Sequence, residues 1–255
     1  MGKIAFALGP LHFYWYGLII AAAIIAASLL ALWRARRLSL PAATVFDILL
    51  WSVPAGVVGA RAYYVAANWH IYRDNPLDAL RLWQGGLAVH GALLAFIIVL
   101  FLYARWRRIR FWTWADLAAP ALAGGQAVGQ WANFFNQEAF GHPTGLPWGI
   151  YIDYALRPAG FDQFDYFHPV FLYESAWNLL LLLALLAAGR ALRSLPAGAL
   201  FLTYIILYAA GHYYFAGLRL DGETVCGVSL ARLFSILAAA LGLLLCGRRP
   251  PAEEQ

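Results

Sequence analysis

Ionisable and amide side chains cost free energy inside long apolar runs, so a sequence that keeps them there marks places for chemistry. In this chain they are Asp47, Arg61, His90, Asp116, Glu174, His212, Arg219 and Arg232, joined by the amides Gln126, Gln130, Asn133 and Asn136 and by Glu138. A neutral imidazole in a low-dielectric site can take a proton. His90 stands in a frame of Gly85, Gly86 and Gly91, and glycines at a helix start let backbone or ligand approach closely. Two asparagines and a glutamate within the six residues 133–138 can bind a polar head group, or hold a re-entrant loop together by hydrogen bonds.

Each candidate also has a plainer reading. Asp47 and Asp116 stand where helices are expected to start, the ordinary place for a cap. Arg232 lies near a helix end and can snorkel. Arg61 and Glu174 suit a structural pair as well as a ligand, and a lone histidine on an apolar helix is commonly a satisfied core residue.

The elements that must position these groups are membrane helices. Of the 255 residues 63% are hydrophobic and only 12% charged, which is outside the range of soluble domains. Apolar stretches long enough to cross about 30 Å of hydrocarbon run over residues 11–33, 44–67, 86–103, 112–131, 169–188, 197–215 and 228–246. The expected fold is all-α, a polytopic membrane bundle of about seven transmembrane helices over residues 1–249, with a flexible cytoplasmic tail at 250–255. Gly124, Gly125, Gln126, Gly129 and Gln130 interrupt the fourth stretch, and a broken span is tolerated only inside protein or beside water.

Orientation follows from arginine. Arg34, Arg36 and Arg37 follow the first stretch, Arg105, Arg107, Arg108 and Arg110 the third, Arg190 and Arg193 the fifth, and Arg248 and Arg249 the seventh. With seven alternating spans all eleven share one face, which the positive-inside rule makes cytoplasmic and which leaves the N-terminus outside. The net charge of +5 is thus a topology signal, with no nucleic acid implied. Adding or deleting one span would scatter the clusters, and the first stretch is too long, and its basic cluster too late, for a cleavable signal.

Two connections are expected outside. One, at residues 68–85, has Trp69 and Trp83 as interface anchors, and the other, at about 133–168, forms a small extracytoplasmic segment. Cys226 and Cys246 flank the last stretch and should lie near opposite faces, too far apart for a disulfide. No metal-ligand spacing, phosphate-cradling glycine loop or nucleophilic serine motif occurs, so neither metal nor cofactor is implied.

The segment from Gly129 to Trp148 resembles the signature of the bacterial prolipoprotein diacylglyceryl transferases, Gly-Arg-x-x-Asn-Phe-x-Asn-x-Glu-x-x-Gly-x-Pro-Thr followed by Pro-Trp. It reads Gly129-Gln130-Trp131-Ala132-Asn133-Phe134-Phe135-Asn136-Gln137-Glu138 and onward through Gly141, Pro143 and Thr144 to Pro147-Trp148. Supporting matches are His12 with Tyr16-Gly17, Gly59-Ala60-Arg61, Gly85-Gly86 with His90-Gly91, Asp116 with Pro120, and His168-Pro169 with Leu172-Tyr173-Glu174. They cover nearly the whole chain in order.

The resemblance implies a transferase of the bacterial inner (plasma) membrane that moves the diacylglyceryl group of phosphatidylglycerol onto the lipobox cysteine thiol of prolipoproteins. Its partners would be phosphatidylglycerol, prolipoprotein signal segments and membrane lipids. Carried over, it matches His90, Asn133, Glu138 and Tyr16 to family positions; the expected catalytic residues are His90, Glu138 and His212, and the expected substrate-binding ones Tyr16, Arg61, Gln130, Asn133, Asn136 and Arg219. His90 corresponds to the family's essential histidine and would assist deprotonation of the thiol, since thiolate is the nucleophile.

The departures are as informative. Gln130 stands where the family has arginine, and His212 with Ala216 where its sixth helix has Arg-x-x-x-Glu, while Arg219 remains. A glutamine cannot replace a bidentate guanidinium on a phosphate, so a protonated His212, with Arg61 and Arg219, is expected to supply the charge. Two other readings compete: a diverged member that binds lipid or signal segments with weak or no catalysis, and a transporter, supported only by the broken fourth stretch.

Overall fold

The computed structural model describes residues 4–9, 11–81, 86–191, 195–220, 224–225 and 228–247. The expectations for Trp83, Gly85, Arg193, Cys226, Arg248, Arg249 and the tail at 250–255 fall outside these residues. Among the described residues the chain is mostly helical, with seven helices of 18 residues or more. They are α1 (Trp15–Arg37), α2 (Ala42–Ala67), α4 (Val89–Arg107), α5 (Phe111–Gly129), α7 (Val170–Ala191), α8 (Ala199–Ala216) and α9 (Leu230–Gly247). All except α5 are long and apolar enough to cross a membrane. The chain is a multi-pass membrane protein.

Shorter elements fill the connections. β1 (Ile4–Leu8) and β2 (Leu11–Tyr14) form an antiparallel hairpin ahead of α1, so the first helix starts at Trp15 and not at residue 11. The alternating aromatics explain the difference: Phe6 and Phe13 are register partners whose rings stack at 4.5 Å, and Gly9 turns the chain at φ 59°. The connection after α2 holds α3 (Trp69–Tyr72) and a 3-10 turn, Pro76–Leu80. After α5 come α6 (Ala132–Asn136) and the antiparallel pair β3 (Ile150–Tyr151) and β4 (Tyr166–Phe167). A third two-stranded pair, β5 (Thr224–Val225) with β6 (Val228–Ser229), precedes α9.

The chain divides into two compact units, Met1–Ala31 with Ala118–Gln255, and Leu32–Leu117. In the smaller unit α2 and α4 run antiparallel, and small residues let their backbones touch. A Cβ on Gly59 would lie 2.6 Å from the Gly91 carbonyl oxygen, and Gly56 faces Ala92. Asp47, expected as a cap, lies beyond the first turn of α2 and accepts a 2.7 Å hydrogen bond from the Tyr103 hydroxyl on α4. Asp116 likewise lies inside α5, and its carbonyl accepts from the buried Arg34 at the end of α1.

In the larger unit α5 is continuous through Gly124, Gly125 and Gln126, and the break comes only after Gly129. The two glycines are packing points: Gly125 faces Ala27 and the Ala23 carbonyl of α1, and Gly124 faces Leu30 of α1 and Leu182 of α7. Up to Gly129 the fourth stretch is therefore an unbroken helix set among protein neighbours, which weakens the one feature that favoured a transporter. The segment between α6 and α7 has its own small core of Phe140, Ile152 and Phe167. Arg232, expected to snorkel, is turned onto α8, with its guanidinium 5.1 Å from the Tyr213 ring centre.

Candidate active site

In the larger unit the polar groups gather on one carboxylate. Pro169 sets the start of α7, and Glu174 follows within the first two turns with only 3% of its surface exposed. One of its oxygens, Oε2, accepts a hydrogen bond from Gln130 Nε2 and lies 3.6 Å from His212 Nδ1. Asn133 Nδ2 donates to Gln130 Oε1 at 2.7 Å, and the Asn133 carbonyl accepts from the Glu138 amide at 2.9 Å. The signature segment, α7 and α8 thus meet at a single oxygen.

Helical spacing supports this arrangement on both partners. On α7, Ser175 donates to the Ala127 carbonyl at 2.7 Å and accepts from Trp131 Nε1 at 3.1 Å, while Asn178, one turn after Glu174, donates to the Glu174 carbonyl. On α8, Tyr204, Tyr208 and His212 lie four residues apart and therefore on one face. Their rings form a ladder with spacings of 5.7 and 5.6 Å, the last pair tilted by only 8°. Tyr204 is tied in turn to Gln126 Oε1 at 3.0 Å.

Among the described residues Glu174 Oε1 and Asn178 Oδ1 are buried and accept no hydrogen bond. Both border a narrow gap, too tight for a water molecule, with Trp177, Tyr208, His212 and Phe215. A buried acceptor without a donor is costly, so this carboxylate retains capacity for one more proton or donor. The protonated imidazole would pair with it as an ion pair.

The rest of the signature is displayed beside the start of α1. Trp15 stacks on Phe135 at 5.1 Å, and Glu138 is near enough to Tyr16 to act on its hydroxyl electrostatically. Glu138 is exposed and sits between Gln137 and Ala139, two non-glycine residues with φ of 57° and 54°. Left-handed backbone at such residues persists only where neighbours impose it. Here the Gln137 side chain accepts from the Asp153 amide at 2.7 Å, and the Ala139 carbonyl accepts from the Phe171 amide at 2.9 Å. Asn136 Nδ2 donates to Glu138 Oε1 at 3.3 Å. Arg219 lies in the turn after α8, whose Leu220 amide bonds the Phe140 carbonyl, so it is carried next to the signature. His168, Tyr173 and Trp148 form a further chain through the Tyr173 hydroxyl, with both contacts at 3.0 Å.

In the smaller unit His90 occupies the first turn of α4 and is buried, its ring 5.5 Å from that of Tyr63. Arg61, expected to bind substrate, directs its guanidinium at backbone carbonyls: Nε to Ala79 at 2.8 Å, Nη1 to Gly86 at 3.2 Å, and Nη2 to Asp78 at 2.9 Å and Arg81 at 3.3 Å. The tyrosine rings at 64 and 72 flank it.

The structure brings Gln130, Asn133 and His212 together around Glu174, and Tyr16, Asn136 and Glu138 together at α6. Sequence reasoning placed Gln126 only among the intramembrane polar groups, gave Glu174 as a family match that suits a structural pair as well as a ligand, and passed over Ser175, Asn178, Tyr204 and Tyr208. The signals were present in the four-residue spacing of Glu174 and Asn178, and of the two tyrosines and His212.

A family model described as prolipoprotein diacylglyceryl transferase matches residues 3–247. Similar proteins carry the name phosphatidylglycerol–prolipoprotein diacylglyceryl transferase. That of Parasynechococcus marenigrum is 44% identical, covering 94% of this chain and 91% of its own. That of Synechococcus elongatus is 44% identical, covering 93% and 83%. One from a further Synechococcus species is 42% identical over 99% and 96%.

Proposed function

The chain belongs to the prolipoprotein diacylglyceryl transferase family, and on that premise we propose that it transfers the diacylglyceryl group of phosphatidylglycerol to the lipobox cysteine thiol of prolipoproteins. The thiol proton passes to a base, the thiolate sulfur attacks the glyceryl carbon, and the carbon–oxygen bond to phosphate breaks. A thioether forms and glycerol phosphate leaves with the electron pair. Displacement of this kind needs positioning and charge stabilisation, which side chains supply.

His90 is the base for the thiol. Asn133, Gln130, Asn136 and Arg219 offer donors to the head group and its departing phosphate, and Tyr16 and Glu138 act beside them at the start of α1. His212, protonated on Glu174, takes over part of the charge that arginine brings in the family. The observation that carries this reading is the chain Asn133–Gln130–Glu174, with His212 on the same carboxylate oxygen. It fastens the family's signature to α7 and to α8, which carries the other departures.

The protein works in a bacterial inner membrane with the N-terminus outside, residues 133–168 extracytoplasmic and the C-terminus cytoplasmic. Supporting this, arginines end α1 (Arg34, Arg36, Arg37), α4 (Arg105, Arg107) and α7 (Arg190), the first, third and fifth helices when α5 is counted as the fourth span. Lipid and signal segment both reside in the bilayer and enter laterally.

The test is transfer from labelled phosphatidylglycerol to a lipobox peptide by the purified protein. His90→Ala should slow it by about 1000-fold, within the range of a lost general base, and His212→Ala should lower the rate. Full activity of His212→Ala across a pH series would refute the charge compensation. A second reading is favoured by one observation, that Gln130 and His212 both turn to Glu174: a diverged member that binds lipid or signal segments without turnover. It predicts binding with no thioether product from wild type.

A further inference from the structure

Building on the reading of His90 as the thiol's base, we propose that Arg61 is a positioning residue that sets the imidazole by holding the backbone leading into α4. A guanidinium has five N–H donors in a rigid fork, and here all three nitrogens are committed to the carbonyls of Ala79, Gly86, Asp78 and Arg81. Arg61 is 5% exposed. A guanidinium gripping a lipid phosphate would turn the fork toward the lipid; this one faces the main chain on both sides of residues 82–85.

The placement extends over three consecutive residues of α2. The Gly59 carbonyl lies against Gly91, where a Cβ would approach its oxygen to 2.1 Å. The Ala60 carbonyl accepts from the Ala88 amide at 3.1 Å. Arg61 Nη1 donates to the Gly86 carbonyl. Residues 59, 60 and 61 therefore hold residues 91, 88 and 86 in antiparallel order, and His90 lies inside the held stretch. Tyr63, one turn along α2 from Gly59, contributes the ring that faces the imidazole.

Gly86 belongs to the same device. Its φ is +76°, and a Cβ there would lie 2.5 Å from the Tyr64 ring and 2.8 Å from Arg61 Nη1. The paired motifs Gly-Ala-Arg and Gly-x-x-x-His-Gly are one construction, in which the first fixes the direction of the histidine supplied by the second. Lysine cannot replace the arginine, because three donors on one flexible amine cannot span carbonyls set around a planar fork.

The experiment uses the full-length protein in detergent, with phosphatidylglycerol and a lipobox peptide, and compares Arg61→Lys and Gly86→Ala with wild type. Arg61→Lys should lower kcat by about 100-fold, the cost of misplacing a reacting group by roughly 1 Å, with KM for phosphatidylglycerol unchanged. Gly86→Ala should give the same split, and the double variant should lose no more than the worse single one. Amide hydrogen exchange over residues 86–92 should accelerate in both variants while α7 and α8 exchange as in wild type. A raised KM with unchanged kcat in Arg61→Lys would place the guanidinium on the lipid and overturn the proposal, as would wild-type exchange at 86–92. If wild type transfers nothing, the transferase reading fails, and the exchange measurement still decides whether Arg61 holds this segment.

Discussion

Arg61 and Glu174 are both ionisable, both nearly free of solvent, and surrounded in opposite ways. The guanidinium is met by four main-chain carbonyls, neutral dipoles that neither titrate nor leave. The carboxylate is met at one oxygen by an amide and an imidazole, while its other oxygen accepts no hydrogen bond among the described residues. A buried charge met on each of its nitrogens by main-chain carbonyls builds fixed geometry. One with spare acceptor capacity beside a titratable ring can change partners during a reaction. The smaller unit thus invests its buried charge in holding backbone, and the larger one in side chains able to exchange protons and ligands.

The sharpest way to break this contrast is Glu174→Ala. Gln130 and His212 lose their common acceptor, and transfer should fall by about 1000-fold, in the range of a lost acid–base group; Glu174→Gln, which keeps the shape, should recover part of it. Steady-state rates decide, and near-normal activity in Glu174→Ala would make the carboxylate mere scaffold.

Next in size is Gly91→Ala, which forces a methyl group to 2.1 Å from the Gly59 carbonyl oxygen. Overpacking of this kind costs about 1–3 kcal/mol, read as a lower midpoint of thermal unfolding in detergent. An unchanged midpoint would show that α2 and α4 are not in backbone contact.

Gln130→Arg restores the residue type the family has. It should lower KM for phosphatidylglycerol about tenfold, the worth of one charge-assisted contact of about 1.4 kcal/mol. No change in either constant would mean that position 130 does not face the lipid. The smallest effect is expected for Ser175→Ala, which leaves Trp131 Nε1 and the Ala127 carbonyl without their shared hydroxyl. The loss should be about 1 kcal/mol in unfolding free energy with transfer nearly intact.

Much of the fold was legible because a bilayer imposes a long apolar period that no other context needs. The long helices α2, α4, α5, α7, α8 and α9 begin and end within a few residues of the apolar stretches. The hairpin before α1 was missed because Leu11, Phe13 and Tyr14 read as part of the apolar run, whereas alternation with Phe6 across Gly9 made them strand. Glycines misled at α5: read as interruptions, they are the contacts that admit α1 and α7.

The site was half legible. Gln130, Asn133 and His212 could be named from motif positions, yet their convergence on Glu174 is a tertiary fact that no local spacing contains. Arg61 shows the converse. Its type and depth left a structural pair and a ligand equally open, and only the fold reveals that carbonyls more than 15 residues away in sequence, and no carboxylate among these contacts, meet its donors.

The most direct test is the intact mass of a lipobox peptide after incubation with purified wild-type protein and phosphatidylglycerol of defined acyl chains. The account predicts a product heavier by the diacylglyceryl group, linked as a thioether, with one glycerol phosphate released per peptide and none from a peptide whose cysteine is replaced by serine. An unmodified peptide that nevertheless binds the protein, or undiminished product from His90→Ala, would contradict it.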